Sequence, residues 1–276
     1  MPHAEPRRGK VRAITSLQNP AVKAIRALEM RKVRRQTGLF AAEGASLLLM
    51  ARQAGWSLKS LIMLAGSGQG AAAEALLAWA RRSDAECLEV STAVLAKVAA
   101  KDNPQTVLGV FEQRWLSAPP PTVPAEALWL ALEGVRDPGN LGTIIRTLDA
   151  VGASGLMLIG NTVDPYAREA VRASMGSIFN VALLRLSQAQ FLAWRAAWPG
   201  EVVAAELAAQ EDFRARPYRC PVLLLMGSEG PGLSAALGAA ASRRVKIPMA
   251  GRLDSLNLAV ATALMLYEIR RERLTL

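Results

Sequence analysis

Three stretches of this 276-residue chain place polar side chains directly after apolar runs. They are DPGNLGTIIRTLDAVG at Asp137–Gly152, LLLMGSEGPGLS at Leu223–Ser234, and IPMAGRLDSLNLAVATALMLYE at Ile247–Glu268. Each follows the carboxyl end of a predicted strand, the edge at which parallel α/β sheets bind ligands. In the first, Pro138 and Gly139 form a turn, Asn140 is expected to cap a helix, and Arg146 lies within it. Six helical residues turn through about 600°, which leaves two side chains about 240° apart around the axis. Asn140 and Arg146 therefore act together only if Asn140 stays on the turn outside the helix. In the second stretch a single carboxylate, Glu229, stands among glycines, and the loop lacks the Lys-Ser/Thr ending of an ATP-binding phosphate loop. In the third, Asp254 or Ser255 would cap a long apolar helix with Asn257 in its first turn. Taken singly, each has a plain structural explanation: a capped helix carrying an arginine, a glycine turn with a solvated acid, a polar position on a helix surface.

Composition narrows the chemistry. The one histidine, His3, sits in a polar tail, and the two cysteines, Cys87 and Cys220, are far apart in apolar surroundings. Zinc chemistry and Ser-His catalysis lack raw material, and no disulfide framework is expected. No run of residues has the apolar length of a membrane span, and the basic start of the chain has no signal-peptide core, so a cytoplasmic protein without membrane contact is expected. The net charge of +10 is unevenly placed. Residues 1–36 hold ten basic and two acidic residues, whereas the remaining 240 hold 23 basic and 21 acidic. A basic block of this kind, with Arg31, Arg34 and Arg35 at its centre and Arg7 to Arg12 in the tail, suits a polyanion such as RNA.

The elements that must position these side chains follow from periodicity. LSAPPPTVPAE, residues 116–126, has four prolines and reads as a stiff linker between a domain at 1–115 and another at 127–276. Before it, NPAVKAIRALEMRKVRRQ predicts one helix, and strands and helices alternate through GLFAAEG, ASLLLMARQAG, SLKSLIMLAG, AAAEALLAWARR, ECLEV and TVLGVFEQ. After it, continuous apolar strands at LWLALEG, GLMLIG, FNVALLRL, EVVAAEL, PVLLLMG and RRVKIPM alternate with helices, which predicts a parallel sheet covered on both faces. A fourth glycine turn, in LIMLAGSGQGAAAEALL, satisfies a permissive dinucleotide pattern with Gly66, Gly68 and Ala71. A flexible turn before an alanine-rich helix explains it better.

Together and in order, the three loops resemble the SpoU–TrmH family of RNA ribose methyltransferases, in the knotted SPOUT class, over about residues 128–273. Departures are small: Thr143 stands where the family often has Ala, and Leu258-Ala259 replaces a commoner Val-Ser pair. The N-terminal half is similar in layout to the substrate-binding domain of many members, chiefly through GLFAAEGASLLLMA. The resemblance implies an α/β catalytic domain with a deep trefoil knot, a homodimer packed through that domain, and methyl transfer from S-adenosylmethionine to an RNA ribose 2′-hydroxyl. It implies catalytic roles for Asn140, Arg146, Glu229, Ser255 and Asn257. The cofactor would be held by main-chain groups of Met226–Gly230, Ile247–Met249 and Ser255–Asn257, so Met226, Gly227, Gly230, Ile247, Met249 and Leu256 are its expected contacts. The resemblance implies that Arg146 activates the hydroxyl. Because a guanidinium holds its proton far above neutral pH, the preferred role is to bind a phosphate and steady a developing oxyanion, with action as the general base left open beside it. Members of this layout act on large-subunit ribosomal RNA or on transfer RNA, and the separate basic domain favours ribosomal RNA. Two other readings are an RNA-binding protein that keeps the fold without catalysis, and a nicotinamide enzyme built on the Gly66 turn.

Overall fold

The computed structural model describes residues 11–99 and 104–275; His3, Arg7, Arg8 and Lys10 lie outside them. The chain divides into two units, one formed by residues up to Gln113 with Tyr166–Phe179, the other by Arg114–Pro165 and Asn180 onward.

The first unit contains β1 (Val11–Ile14), α1 (Pro20–Ala27), α2 (Arg31–Thr37), β2 (Leu39–Glu43), α3 (Ala45–Gln53), β3 (Leu58–Leu64), α4 (Ala71–Arg82), β4 (Glu86–Val90), α5 (Thr92–Ala99) and β5 (Val107–Glu112). Its sheet has the order β1-β4-β3-β5-β2, in which β1, β4 and β3 are parallel and β5 is antiparallel to both β3 and β2. Ile62, Leu88 and Val110 pack against Val22, Ile25 and Leu95 in one apolar cluster. Phe40, Trp56, Phe111 and Phe179 build a separate aromatic cluster, with Trp56 and Phe179 edge to face at 5.1 Å. The Trp56 indole N–H donates to the Phe179 carbonyl at 2.8 Å, which satisfies a buried polar group. This is why Tyr166–Phe179, expected within the C-terminal domain, groups with the first unit instead. β1 escapes the sequence pattern because only Ile14 of its four residues is buried.

The single helix expected over Asn19–Gln36 is two. Arg34, expected at the RNA, is 4% exposed. Its Nη1 donates to the Leu28 and Glu29 carbonyls, both at 2.8 Å, and so satisfies acceptors left open where α1 ends. Arg34 is therefore an internal brace, whereas Arg31 and Arg35 on the same helix are exposed.

The second unit contains β6 (Leu128–Glu133), α6 (Pro138–Ala150) and β7 (Gly155–Ile159). After α7 (Arg168–Ala173), which belongs to the first unit, come β8 (Leu183–Leu186), α8 (Gln188–Arg195), β9 (Glu201–Ala205), β10 (Glu211–Asp212), β11 (Val222–Met226), α9 (Ala235–Ala240), β12 (Arg243–Lys246) and α10 (Leu258–Arg270). The sheet order is β10-β12-β9-β11-β6-β7-β8, parallel at every pair. Alternate strand residues Trp129, Ala131, Leu223 and Leu225 join Phe191 and Leu237 in the core, and burying each large apolar side chain contributes about 1.5–3 kcal/mol. β11 enters between β6 and β9, both laid down earlier, which makes that edge a topological switch point. Met226 pairs with Leu132 on one side and Ala205 on the other, so β6, β9 and β11 end level. The proline-rich stretch is not a free spacer. Leu116 donates its N–H to Leu183 at 2.8 Å, Trp194 Nε1 donates to Pro120 at 3.4 Å, and the segment lies against β8 and α8.

Candidate active site

At the end of β6, the Asp137 carboxylate accepts from the Asn140 backbone N–H at 2.6 Å. Asp137 is thus the cap of α6, and Asn140 is the third residue inside the helix rather than its cap. That placement frees both ends of the Asn140 amide. Its Nδ2 donates to Glu229 Oε1 at 2.6 Å, and its Oδ1 accepts from Asn257 Nδ2 at 3.0 Å. Asn257 in turn accepts at Oδ1 from the N–H groups of Ala259 and Val260, at 2.9 and 3.3 Å. It is the cap of α10, a role expected of Asp254 or Ser255. Three side chains from three distant stretches are therefore joined, and the donors and acceptors of Asn140 fix its orientation. Glu229 and Asn257 are exposed and Asn140 is half-buried, so a substrate can reach all three.

The loop carrying Glu229 is shaped by its glycines. Ser228 and Gly232 form an isolated antiparallel bridge, with the Gly232 N–H donating to Ser228 at 3.1 Å. A Cβ on Gly227 would stand 2.0 Å from the Gly232 carbonyl carbon, so only glycine allows the two backbones to meet. Gly230 has φ +106°, in the region that favours glycine.

Beside this loop lies a cavity of about 590 Å³, within the usual range of small-molecule sites. Met226, Gly227, Gly230, Ile247, Met249 and Leu256, the six residues expected at the cofactor, all line it, as do Glu229 and Ser255. Sequence reasoning missed a fourth wall, Ala205–Ala208 at the end of β9, where Glu206 pairs with Arg244 at 2.5 Å. It also missed Lys246. Only the strand order, which sets β9 beside β11, would have found the wall at Ala205–Ala208, whereas Lys246 directly precedes the expected Ile247. Apolar side chains, the carboxylates of Glu206, Glu229 and Asp254, the ammonium of Lys246 and the glycine backbone together line the space and fit S-adenosylmethionine, a flat ring system joined through a sulfonium to a zwitterionic tail.

Arg146 does not join the cluster. It lies on the exposed face of α6 and makes no hydrogen bond or ion pair among the described residues. With Asn140 inside the helix, the two side chains do not share a face. Arg31 and Arg35 belong to the first unit, whereas the cavity is built from the second.

Comparison with known proteins bears on this geometry. The SpoU rRNA Methylase family model matches residues 127–267, and the model of an MRM3-like substrate binding domain matches residues 19–109. The crystal structure of an AdoMet-bound rRNA methyltransferase from Sinorhizobium meliloti matches with a TM-score of 0.88 and 44% identity, over 96% of this chain and 99% of that one. An uncharacterized tRNA/rRNA methyltransferase of Synechocystis is 35% identical over 95% of both chains. The 23S rRNA (uridine(2479)-2'-O)-methyltransferase of Streptomyces viridochromogenes is 31% identical over 89% of this chain and 87% of its own. Family model, full-length relatives and superposable structures agree: this chain belongs to the SpoU rRNA methylase family.

Proposed function

We propose that this protein transfers a methyl group from S-adenosylmethionine to a ribose 2′-hydroxyl of 23S ribosomal RNA, in the cytoplasm. The observation that carries the reading is the double engagement of Glu229, which forms part of the cavity wall and is hydrogen-bonded to Asn140. A methyl-donor pocket and a polar cluster able to address a hydroxyl thereby share one loop. The choice of 23S ribosomal RNA follows the activity named for the Streptomyces relative.

When bound, the cofactor supplies a methyl group activated by its sulfonium. The main chain of Met226–Gly230 and the apolar side chains of Ile247, Met249 and Leu256 would hold it. Asn140, held between Glu229 and Asn257, orients the ribose, and the Ser255 hydroxyl adds a polar contact from the wall. Arg146 remains a cation throughout, binding the phosphate beside the target and lowering the energy of the developing oxyanion. The hydroxyl proton passes to that phosphate and on to water, while the O–CH3 bond forms as the S–CH3 bond breaks to leave a neutral thioether. Arg31 and Arg35 supply phosphate contacts that do not depend on sequence. Two further assignments belong to this reading. The insertion of β11 between β6 and β9 is consistent with a trefoil knot. α10 exposes Val260, Leu264 and Tyr267 at helical spacing and packs beside α6, whose outer face bears Arg146. A second copy covering that apolar stripe would give the homodimer and close over Arg146.

The test is methyl transfer to 23S RNA, read as ribose methylation, with cofactor affinity measured separately. Arg146→Ala is expected to abolish transfer while leaving S-adenosylmethionine affinity within a few-fold. A parallel loss of both makes Arg146 a structural residue. A wild-type protein that binds the cofactor and methylates no RNA overturns the reading.

A further inference from the structure

Glu133, the last residue of β6, is assigned no role by the chemistry above, yet it reaches the loop that carries Glu229. Its Oε2 accepts from the backbone N–H of Ser234 at 2.7 Å, and its Oε1 accepts from Gln188 Nε2 at 3.3 Å. Gln188 Nε2 also donates to Ser234 Oγ at 2.8 Å, and that hydroxyl oxygen accepts from the Leu237 N–H as the cap of α9. The carboxylate therefore fastens the point at which the loop becomes helix. The loop's other end is set by β11, whose Met226 is paired between Leu132 and Ala205. Its tip is held by Asn140, only seven residues after Glu133 in the chain.

We infer that Glu133 is a positioning residue. With Asn140 it forms a two-point grip from one short segment on the loop Gly227–Ser234, which keeps the loop's backbone facing the cavity. The inference rests on the proposed methyl transfer for its functional meaning, and on hydrogen bonds alone for its mechanical meaning. A half-buried carboxylate accepting a backbone N–H and an amide N–H makes stronger bonds than a neutral oxygen would. Glutamine at 133 keeps one acceptor for Ser234 but turns a donor toward Gln188, whose amide must then flip, and neutral hydrogen bonds replace the charge-assisted ones. Exchanging the two residues restores complementarity. The carboxylate then stands at position 188, where it accepts from the amide now at position 133 and from the Ser234 hydroxyl.

The experiment compares full-length wild type, Glu133→Ala, Glu133→Gln and the double variant Glu133→Gln with Gln188→Glu. S-Adenosylmethionine affinity, the KM and kcat of methyl transfer, and amide exchange of residues 227–234 without cofactor are measured. Glu133→Ala is expected to weaken cofactor affinity and raise its KM about tenfold, with kcat at saturation within about threefold of wild type, a split that marks lost ground-state binding. Glu133→Gln should fall between, and the exchange should restore affinity toward wild type. Amide exchange in the loop should rise about tenfold in Glu133→Ala, an opening of the segment local to its lost anchor. Unchanged amide exchange overturns the inference, as does a drop in kcat with KM unchanged. Failure of the wild type to bind S-adenosylmethionine overturns the proposed function and leaves the grip to be decided by the amide-exchange readout.

Discussion

β3 runs into the glycine turn Ala65–Gly70 and then α4; β11 runs into Gly227–Ser234 and then α9. In sequence the two are alike, an apolar strand, several glycines and an alanine-rich helix. In space they differ in what surrounds them. The first turn is tied by one carboxylate, Glu89, which accepts from the Gly66 N–H at 3.0 Å. It borders a small cavity of about 210 Å³ walled by Leu61, Met63, Leu77 and Leu88. An acid already placed at Gly66 takes an amide that a pyrophosphate would need, and its charge opposes that ligand. The second turn is folded onto its own backbone at Gly227 and Gly232, reached by Asn140 at one side and Glu133 at the other. The cause lies in the sheets. In the first, β5 is antiparallel to β3, so the carboxyl edge of β3 has parallel strands on one side only. In the second, every pair is parallel, and β6, β9, β11 and β12 deliver their loops to one edge. Glycines make a turn possible; converging strand ends make it a site.

The sharpest way to break this comparison is to place a methyl group in each loop. Gly227→Ala puts a Cβ 2.0 Å from backbone, which no side-chain adjustment relieves. It should raise the dissociation constant for S-adenosylmethionine at least about 100-fold, on the order of 2.7 kcal/mol, with methyl transfer falling at least as far. Gly68→Ala meets only Leu77 Cδ1 at 3.8 Å, an ordinary contact, and should leave transfer unchanged. Calorimetric titration of both variants checks this. Equal losses in the two would mean that the second loop is no more constrained than the first.

A smaller effect is expected at Asn140, whose amide links the loop to α10. Asn140→Ala removes both side-chain hydrogen bonds in an accessible cluster where water replaces them, so the melting temperature should move by no more than a few degrees. The kcat for methyl transfer should fall about 10- to 100-fold, the loss of a positioning contact. An unchanged kcat would reduce the cluster to a helix-capping arrangement and remove the main distinction between the two turns.

Much of this is legible in the sequence. Continuous apolar strands announce a parallel sheet, and the three strand-end loops can be picked out by their glycines and their isolated polar residues. What is not legible depends on partners that are distant along the chain. Asn140 reads as a helix cap because Asn is a good one, but Asp137 three residues earlier takes the role, and the amide is released toward Glu229. Arg34 reads like its basic neighbours because charge composition does not say which arginine of a cluster faces the carbonyls at a helix end. Tyr166–Phe179 reads as continuous with the C-terminal domain because nothing local reveals that Trp56, more than a hundred residues earlier, needs the Phe179 carbonyl. The wall at Glu206 requires the strand order, in which β9 and β11 are neighbours despite the intervening β10.

The smallest expected effect tests the quieter of the two turns. Glu89→Ala removes the acceptor of the Gly66 N–H at a partly exposed turn, where water substitutes for the carboxylate. The cost should be about 0.5–1 kcal/mol of stability, read as a modest fall in urea midpoint. Methyl transfer and S-adenosylmethionine affinity should be unaffected, because the cavity beside β11 draws no wall from this unit. If the turn were a dinucleotide site held shut by Glu89, the same substitution would free the Gly66 amide and NAD would bind to the variant more tightly than to wild type. No gain of NAD affinity is expected, since the adjoining cavity is walled mainly by apolar side chains and, at about 210 Å³, is too small for a dinucleotide. A measurable gain would restore the dinucleotide reading of the first turn and dissolve the contrast between a glycine loop that merely reverses the chain and one held in place by β6, β9 and Asn140 of α6.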